Sequence, residues 1–412
     1  MLSVKMVDLV NLKDRVKRRN ELYPEDMDGW VHNAEDRERE VAEIRSKLDE
    51  LQLHSFQYIR NVNYRSKLNQ RVIENLNAVN NLIAVGNSSP ASIRAFLSEM
   101  AIGQPREFSR AEIMIITSHL SESNIIRSDL FGNVYNGKFR NGKQVSVKVL
   151  RDKDVSQGIF KSEVRSLSNA SHRNLLKLYG YCFEHNTIAL VYEYMENGTF
   201  DKILYQNPLS IEWDKFYGIA IKTAKAIAYL HDGCDDQIIH HNINAANVLL
   251  GEYFSPKVAE FGLAKLIKEG RTHLTLTNPR GTPGYAAPEM WIPSSRITCS
   301  SDVYSFGMML FEILGMRENF KKGQVWFPQH VWNKFKSDQL DDLLVECGIY
   351  EKDKIEAKTS ALVALWCAQF KPQLRPSMST VVKMLELEIP VKNQIPNPFK
   401  RFRSPQTSLH GR

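Results

Sequence analysis

The segment GNVYNGK, from Gly132 to Lys138, carries the pattern G-x-x-x-x-G-K of loops that bind nucleotide phosphates. Such a loop needs a serine or threonine directly after the lysine to bind Mg²⁺, but Phe139 stands there. The loop must also open a helix, whereas the residues on both sides predict a strand, a turn and a second strand. Phe139 and the strand context therefore argue against this kind of phosphate-binding loop, although the spacing matches.

A second signal comes from short motifs that follow one another from about residue 108 to residue 389. In chain order they read FGNVYNG, VSVK, SEV, LVYEYM, IIHHNINAANVLL, KVAEFGLAK, GTPGYAAPE, SDVYSFG and RPSM. This order resembles that of the eukaryotic protein kinases. The flanking phrases REFSRAEI, LYGYC, ALVYEYMENGTF and GQVWFPQHVW are similar to plant receptor-like kinases, particularly those of the leaf-rust-resistance type.

The resemblance implies a site for ATP and Mg²⁺ whose residues lie far apart in the sequence. In the kinase frame Lys148 holds the α- and β-phosphates, and Glu163 in the next helix orients that lysine. Asn247 matches the asparagine that binds the second metal ion. The alternative for the first two residues is a lysine at a strand edge and a solvent-facing glutamate. The other implied nucleotide contacts are Gly132, Val134, Tyr192, Glu193 and Met195.

The implied catalytic loop departs from the family pattern at the positions that carry chemistry. Active relatives read His-Arg-Asp-x-Lys-x-x-Asn, and residues 240–247 read HHNINAAN. Asn242 replaces the catalytic carboxylate, and an amide has no basicity near neutral pH. Loss of a positioned general base lowers a rate by roughly 10²- to 10⁴-fold. Asn244 replaces the lysine that stabilises the transferring phosphoryl group, and His241 replaces an arginine that pairs with an activation-loop phosphate.

The implied metal and phosphate positions also differ from the family. Glu260 stands where relatives have the metal-binding aspartate, and its extra methylene conflicts with the near-ideal octahedral geometry that Mg²⁺ demands. In the G-x-G-x-x-G loop the three glycine positions are Arg127, Asp129 and Gly132. A carboxylate about 4 Å from a phosphate charge costs on the order of 4 kcal/mol at an effective dielectric constant of about 20. These changes disfavour ATP binding, and phosphoryl transfer more strongly.

Positions that support the fold match the family. His240 and Phe261 stand where relatives pack side chains beneath the catalytic loop, and Asp302 would anchor that loop from the large central helix. Glu289 would pair with Arg375 and brace the helical lobe. Because the chemistry positions have changed while the architectural positions match, the sequence predicts a pseudokinase, in which a kinase fold serves binding or switching.

The implied activation segment, residues 260–289, is rich in threonine. Four of these residues are candidate phosphate acceptors for another kinase, with Arg271, Arg280 and His241 nearby to pair with a phosphate. The alternative is an exposed loop that happens to contain several threonines. The candidates are Thr272, Thr275, Thr277 and Thr282.

The elements that position these motifs divide the chain into four predicted parts. From Phe108 onward, short β-rich runs precede longer helical runs, which predicts an α+β, bilobal protein-kinase fold with a small β-rich lobe and a larger α-helical lobe over residues 108–389. Residues 1–83 predict a helical, coiled-coil-like domain. Residues 84–107 have a linker composition, and residues 390–412 predict a basic disordered tail.

The amino-terminal region has a resemblance of its own. The phrases LKDRVKRRNEL, MDGWVHNAEDREREVAEI and NYRSKLNQRVIENLNAV are similar to the coiled-coil head of plant nucleotide-binding leucine-rich-repeat immune receptors, with Trp30 as the best landmark. The apolar seams are narrow, so these helices must pair with each other, with the rest of the protein or with another chain. A docked helical hairpin and a homo-oligomer through the head both stay open.

Charge and composition restrict the partners. The formal net charge of +7 comes mainly from the last 23 residues, which hold five basic and no acidic side chains. We therefore expect no nucleic-acid partner; the tail would contact an acidic protein or the inner membrane face, or have no role. The five cysteines show no paired spacing, and no apolar run is long enough to span a bilayer, so we expect a cytoplasmic protein with free thiols.

The sequence thus supports three functions. The first is a pseudokinase that acts as scaffold, decoy or allosteric partner of an active kinase or immune receptor in plant-type immune or developmental signalling. The second is a weakly active, ATP-dependent Ser/Thr kinase, because the loose transition state of phosphoryl transfer makes the base less decisive. The third is a coiled-coil assembly protein with an inert kinase fold.

Overall fold

The computed structural model of the protein describes a large part of the chain. It covers Asp36, Arg39 and residues 105–399, apart from residues 130, 152, 185–186, 207–210, 268–272, 276–280, 293–294 and 321–324. Apart from Asp36 and Arg39, the predicted helical head lies outside the described residues, as do most of the predicted linker and residues 400–412. Residues 105–399 form a small β-rich lobe followed by a larger helical lobe, which confirms the predicted α+β, bilobal fold.

The small lobe is built on one mixed sheet. Among the described residues its strand order is β1-β5-β6-β4-β3-β2, and β1 pairs parallel with β5 while the other neighbours pair antiparallel. Valine, isoleucine and tyrosine are frequent in these strands, because branched and aromatic side chains suit a pleated, half-buried surface. The strands are β1 (Arg106–Glu107), β2 (Ile125–Ser128), β3 (Gly132–Lys138), β4 (Gln144–Leu150), β5 (Leu178–Glu184) and β6 (Thr187–Glu193).

Two helices cover this sheet. Helix α1 (Arg110–Ile116) begins at a capping box in which Ser109 and Glu112 each satisfy a backbone N–H of the other. Its Ile113 and Ile116 join the cluster of buried side chains that includes Val145 of β4. Helix α2 (Lys153–Ser168) belongs to the main core, so the sheet is covered on both faces.

The large lobe is organised around one buried helix. Every side chain from Ser301 to Leu314 of α5 is buried, so this helix can position loops on several sides of the lobe. Gly233 caps the C-terminus of helix α4, and its backbone N–H donates a hydrogen bond to the carbonyl of Tyr229. The helices are α3 (Phe200–Gln206), α4 (Trp213–Asp232), α5 (Ser300–Gly315), α6 (Phe327–Lys336), α7 (Leu340–Glu346), α8 (Lys354–Cys367) and α9 (Met378–Leu385).

Further strands form short two-stranded sheets among the described residues. Among the described residues, β7 pairs with β10, β8 with β9 and β11 with β12, all antiparallel. The first two pairs enclose the segment 240–247, in which the sequence predicts the catalytic loop. The strands are β7 (Gln237–Ile239), β8 (Val248–Leu250), β9 (Pro256–Val258), β10 (Lys265–Ile267), β11 (Leu274–Thr275) and β12 (Arg296–Ile297).

Two predicted boundaries need correction. The predicted linker ends inside the sheet, because Arg106 pairs with Gly180 of β5. A Cβ at Gly180 would lie 2.1 Å from the carbonyl oxygen of Arg106, so the strand can approach only because this residue is glycine. The predicted disordered tail is wrong for residues 390–399, since Ile395 and Phe399 are buried in the main core.

The structure also bears on thiols and membrane spans. All five cysteines are free, as predicted, with Cys182 and Cys367 buried and the others half-buried. Burial raises the pKa of the Cys182 thiol to about 12, so it stays protonated at neutral pH. Within the part of the chain that the structure describes, no helix combines the length and apolar composition needed to cross a bilayer.

Candidate active site

A cavity of about 170 Å³ lies between the two lobes. Strands β2 to β4 and β6 supply its upper wall, and the large lobe supplies its floor through Leu249 and Ala259. The structure brings together in this cavity six side chains that the kinase resemblance assigned to a nucleotide site and one assigned to a metal. These residues are Val134, Lys148, Glu163, Tyr192, Glu193, Met195 and Glu260.

Gly132 is explained by the sheet rather than by a ligand. A Cβ at this position would lie 2.2 Å from the carbonyl oxygen of Val149, on the neighbouring strand β4. Gly132 is not among the described residues that line the cavity. The glycine therefore serves the close approach of β3 and β4, and the sequence motif alone could not distinguish this role from phosphate binding.

Lys148 is buried and carries two ion pairs. Its Nζ lies 2.8 Å from Oε2 of Glu260 and 3.2 Å from Oδ2 of Asp129, and its side chain is 3% exposed. Burial alone would lower the pKa of Lys148, but the carboxylates of Glu260 and Asp129 outweigh burial and raise it well above the usual lysine value. The ammonium group is therefore charged at any physiological pH and is held by the protein's own carboxylates.

The predicted pairing of Lys148 with Glu163 is wrong in this structure. Within the described residues the ion pairs of Lys148 are with Asp129 and Glu260, and Glu163 instead accepts a hydrogen bond of 3.0 Å from the Tyr192 hydroxyl. Glu260 takes the place of Glu163 as a partner of the lysine, through Oε2 at 2.8 Å. Burial, with the nearby charge of Glu260, raises the pKa of Glu163 to about 7.

Asp129 is fixed at both carboxylate oxygens. Its Oδ1 accepts hydrogen bonds from the backbone N–H groups of Phe131 and Gly132, at 2.8 and 2.9 Å, and its Oδ2 faces Lys148. Backbone N–H groups in such a turn form a concavity that suits an anion. Here that anion is a side chain of the same loop.

The predicted catalytic loop is held from below by Asp302 of α5. Its carboxylate accepts hydrogen bonds of 2.8 Å from the backbone N–H groups of His240 and His241, which confirms the predicted anchoring. Burial would raise the pKa of Asp302, but its hydrogen bond with His231 and the nearby histidines lower it. The rings of His240 and Phe261, which were predicted to pack beneath this loop, are both fully buried and pack edge-on against each other at 4.7 Å.

Asn242 lies in a network of neutral groups. Its Oδ1 accepts a hydrogen bond of 2.6 Å from the Thr282 hydroxyl and one of 3.3 Å from the Asn244 amide. The Asn244 amide also contacts the Thr282 hydroxyl at 3.2 Å, which places the end of the activation segment against the loop. From the sequence, Thr282 was predicted solely as a phosphate acceptor. This second role could not be predicted, because the contact depends on how the chain returns to the loop.

The two predicted metal ligands face different surroundings. The Asn247 side-chain amide donates a hydrogen bond of 2.9 Å to the backbone carbonyl of Asn242. The side-chain oxygen of Asn247 is therefore the atom able to bind a metal. Glu260 has a left-handed backbone, with φ of 66°, and directs Oε2 at Lys148. The described residues contain no group of three or more His, Cys, Asp or Glu side chains placed to hold a metal ion.

The two ends of the cavity differ in how well their residues fit ATP and Mg²⁺. The apolar end of the cavity, with Val134 and Leu249, suits a flat aromatic base. The phosphate end does not fit, because Asp129 already occupies the backbone N–H groups and the lysine that would hold a phosphate.

The remaining predicted candidates lie away from the cavity. Burial of His241 is nearly complete, and its backbone φ of 64° is left-handed, so it belongs to the interior beside Asp302. Thr272 and Thr277 lie outside the described residues, as does the side chain of Thr275.

Arg375 forms two hydrogen bonds with Glu289, at 2.6 and 2.8 Å, which confirms the predicted brace of the helical lobe.

Comparison with known proteins adds a family. Residues 120–385 match the sequence model of a family described as protein tyrosine and serine/threonine kinase. The leaf rust 10 disease-resistance locus receptor-like protein kinase-like 2.3 of Arabidopsis thaliana is 37% identical over 307 residues, which cover 73% of this chain and 48% of that protein.

Two further relatives from Arabidopsis thaliana differ in the share of their own length that this chain covers. The PR5-like receptor kinase is 35% identical over 310 residues, 73% of this chain and 46% of that protein. Protein suppressor of NPR1-1 constitutive 4 is 38% identical over 313 residues, 74% of this chain and 28% of that protein. The chain thus spans half or less of the length of these curated relatives.

Proposed function

This chain belongs to the protein tyrosine and serine/threonine kinase family, and from that premise we propose that it is a catalytically impaired member. Asn242 carries the proposal. Its amide oxygen accepts hydrogen bonds from Thr282 and Asn244, in a position that the family resemblance assigns to a proton-accepting carboxylate. An amide can orient a hydroxyl but cannot take its proton at neutral pH.

The charges around Lys148 support the same proposal. Phosphoryl transfer depends on positive groups that neutralise the charge of the transferring phosphate. The positive charge of Lys148 is already compensated by its ion pairs with Asp129 and Glu260, and Asn244 replaces a further lysine with an uncharged amide. The site therefore offers a phosphate little of the positive charge that the reaction needs.

The proposed role is that of a scaffold, decoy or allosteric partner in plant-type immune or developmental signalling. The names of the relatives, which include receptor-like kinases and a disease-resistance locus, support this setting. We propose an active kinase or an immune receptor as the partner, with a cytoplasmic location. Homo-oligomer formation through residues 1–83 and contact of the basic residues 400–412 with the inner membrane face are part of the same proposal.

A phosphotransfer assay tests the impaired chemistry. We expect autophosphorylation of the full chain, with Mg²⁺ or Mn²⁺, to be indistinguishable from that of Lys148→Met. The lysine is the matched control because its removal abolishes any transfer that depends on this site while leaving contaminating kinases unaffected. Activity that is clearly above that of Lys148→Met would sink the proposal.

A weak Ser/Thr kinase is the second candidate, and one observation favours it. The hydrogen bonds that join Asn242, Asn244, Asn247 and Thr282 hold the loop in an ordered arrangement. Such a loop can orient a substrate hydroxyl even without a base. Activity that depends on Lys148 in the assay above would support this candidate.

A further inference from the structure

We propose that the cavity between the lobes is a site for an uncharged purine nucleoside and that it selects against the phosphate groups of ADP and ATP. This inference rests on the proposed function, because it takes the cavity to be the nucleotide site of the kinase fold. The inner and outer ends of the cavity differ in charge and in unused hydrogen-bonding groups, and this difference carries the proposal.

At the inner end, the protein supplies its own anion. Asp129 accepts hydrogen bonds from the N–H groups of Phe131 and Gly132 through one oxygen and pairs with Lys148 through the other. These are the kinds of group that hold a nucleotide phosphate: turn amides and a lysine. A phosphate that entered this end would have to displace Asp129 from three partners.

The inner end also carries an excess of acidic side chains. Glu163 and Glu260 line it, Asp129 pairs with Lys148 beside it, and Lys148 is the buried cation among them. Arg127 also lines the cavity and lowers the pKa of Glu260, so it offsets part of this charge. Phosphate groups would add negative charge beside these carboxylates at short range, where the effective dielectric constant is well below that of water.

The outer end is mainly apolar, and its charged side chains, Glu193, Glu196 and Lys202, are of both signs and are partly or fully exposed. Val134, Leu249 and Ala259 provide apolar walls, which suit the faces of a purine. The backbone N–H of Met195, which lines the cavity, donates to no acceptor within the described residues. The buried Thr199 hydroxyl, also in the lining, has no hydrogen-bond partner in the described part of the chain. The Met195 N–H is therefore available to a base, which brings no charge, whereas the Thr199 oxygen is too buried to reach a ligand without a movement of the wall.

Titration calorimetry on the full chain with adenosine, ADP and ATP, with and without Mg²⁺, tests the selectivity. We expect wild-type protein to bind adenosine more tightly than ADP or ATP. Asp129→Gly and Asp129→Asn each remove the internal carboxylate, so we expect each to tighten ATP binding by about tenfold or more while adenosine changes by less than about twofold. Asp235→Asn, at an exposed position outside the cavity, is the matched control and should change neither ligand.

The outcomes separate this inference from the proposed function. Tighter binding of ATP than of adenosine by wild-type protein, an unchanged preference in both Asp129 variants, or no adenosine binding would each overturn it. Thermal unfolding of each variant establishes that the protein titrated is folded. The phosphotransfer assay decides the proposed function separately, since a chain without transfer activity that nonetheless prefers ATP would refute the nucleoside site alone.

Discussion

Asn242 differs from an aspartate by one atom, and its environment accepts either residue. The Thr282 hydroxyl and the Asn244 amide both donate to its Oδ1, and a carboxylate oxygen would accept the same two hydrogen bonds. The surrounding loop is therefore compatible with a base at this position. What the side chain lacks is basicity, which is a property of the residue and not of the fold.

Restoring the carboxylate should reveal this difference. In an Asp129→Gly background, which frees the phosphate end, we expect the added Asn242→Asp substitution to raise autophosphorylation by about 10²-fold or more, because a general base contributes about that much. The two proteins are compared at saturating ATP, so that nucleotide affinity does not enter. Equal rates would show that the base position is not what limits this site, and a third variant that also carries Lys148→Met gives the background.

Individual residue roles were predictable where they depend on the chain's own architecture. The kinase resemblance predicts the anchoring by Asp302 and the ion pair between Glu289 and Arg375, and the structure confirms both. The partner of Lys148 was not predictable, because it depends on two substitutions acting together. A carboxylate at position 129 and a longer side chain at position 260 both lie within reach of one buried ammonium group, and sequence spacing contains no such distance.

At the scale of elements, Glu312 joins three parts of the large lobe. Its carboxylate on α5 accepts hydrogen bonds from Tyr205 of α3, at 2.6 Å, and from Tyr285 of the activation segment. The backbone N–H of Asn319 donates to the other oxygen at 3.1 Å. Burial raises the pKa of Glu312 to about 7, against the opposing effect of these hydrogen bonds, and the nearby Glu318 adds to the rise. The junction between these elements should therefore respond to pH.

The sign of this response follows from the direction of the pKa shift. Because Glu312 holds its proton more tightly in the folded protein, its stabilising contribution is complete below about pH 4.5 and is lost as the pH rises through about 7. A rise of this size corresponds to about 3 kcal/mol. We expect Glu312→Gln to remove most of that fall in the free energy of unfolding, as measured by urea denaturation from pH 4.5 to pH 8. Glu252→Gln, at an exposed position, should reproduce the wild-type slope, and an equal slope in Glu312→Gln would contradict the prediction.

The elements themselves were largely readable from the sequence. Among the short β-rich runs predicted after Phe108, FGNVYNGKF and QVSVKVL form β3 and β4, and the helical runs WDKFYGIAIKTAKAIAYLHDG and DVYSFGMMLFEIL form α4 and α5. Helix α1 was missed, although Ser109 and Glu112 carry the spacing of a capping box that could have indicated it. Strand β1 could not be predicted, because two residues have no periodicity and Arg106 pairs with a strand more than 70 residues away.

At the scale of the whole molecule, the segment after the last helix is part of the large lobe up to Phe399. The Trp366 indole donates a hydrogen bond of 2.9 Å to the backbone carbonyl of Lys392, and the Gln369 amide donates one of 2.9 Å to the backbone carbonyl of Pro396. The composition of this segment predicts disorder, since proline and basic residues are typical of disordered tails. Two apolar side chains, Ile395 and Phe399, provide enough buried surface to dock the segment.

Substitution of Phe399 tests whether this segment docks on the large lobe. Its ring is buried and packs edge-on against Trp326 at 4.7 Å, which ties the end of the described chain to the start of α6. We expect Phe399→Ala to lower the free energy of unfolding by about 3 kcal/mol, because it removes a buried aromatic ring and leaves a cavity. Lys392→Ala should cost less than about 0.5 kcal/mol, since that side chain is exposed and its carbonyl makes the contact with Trp366. Equal stability of the two variants in urea denaturation would show that the segment does not dock in solution and that the predicted disordered tail begins at residue 390.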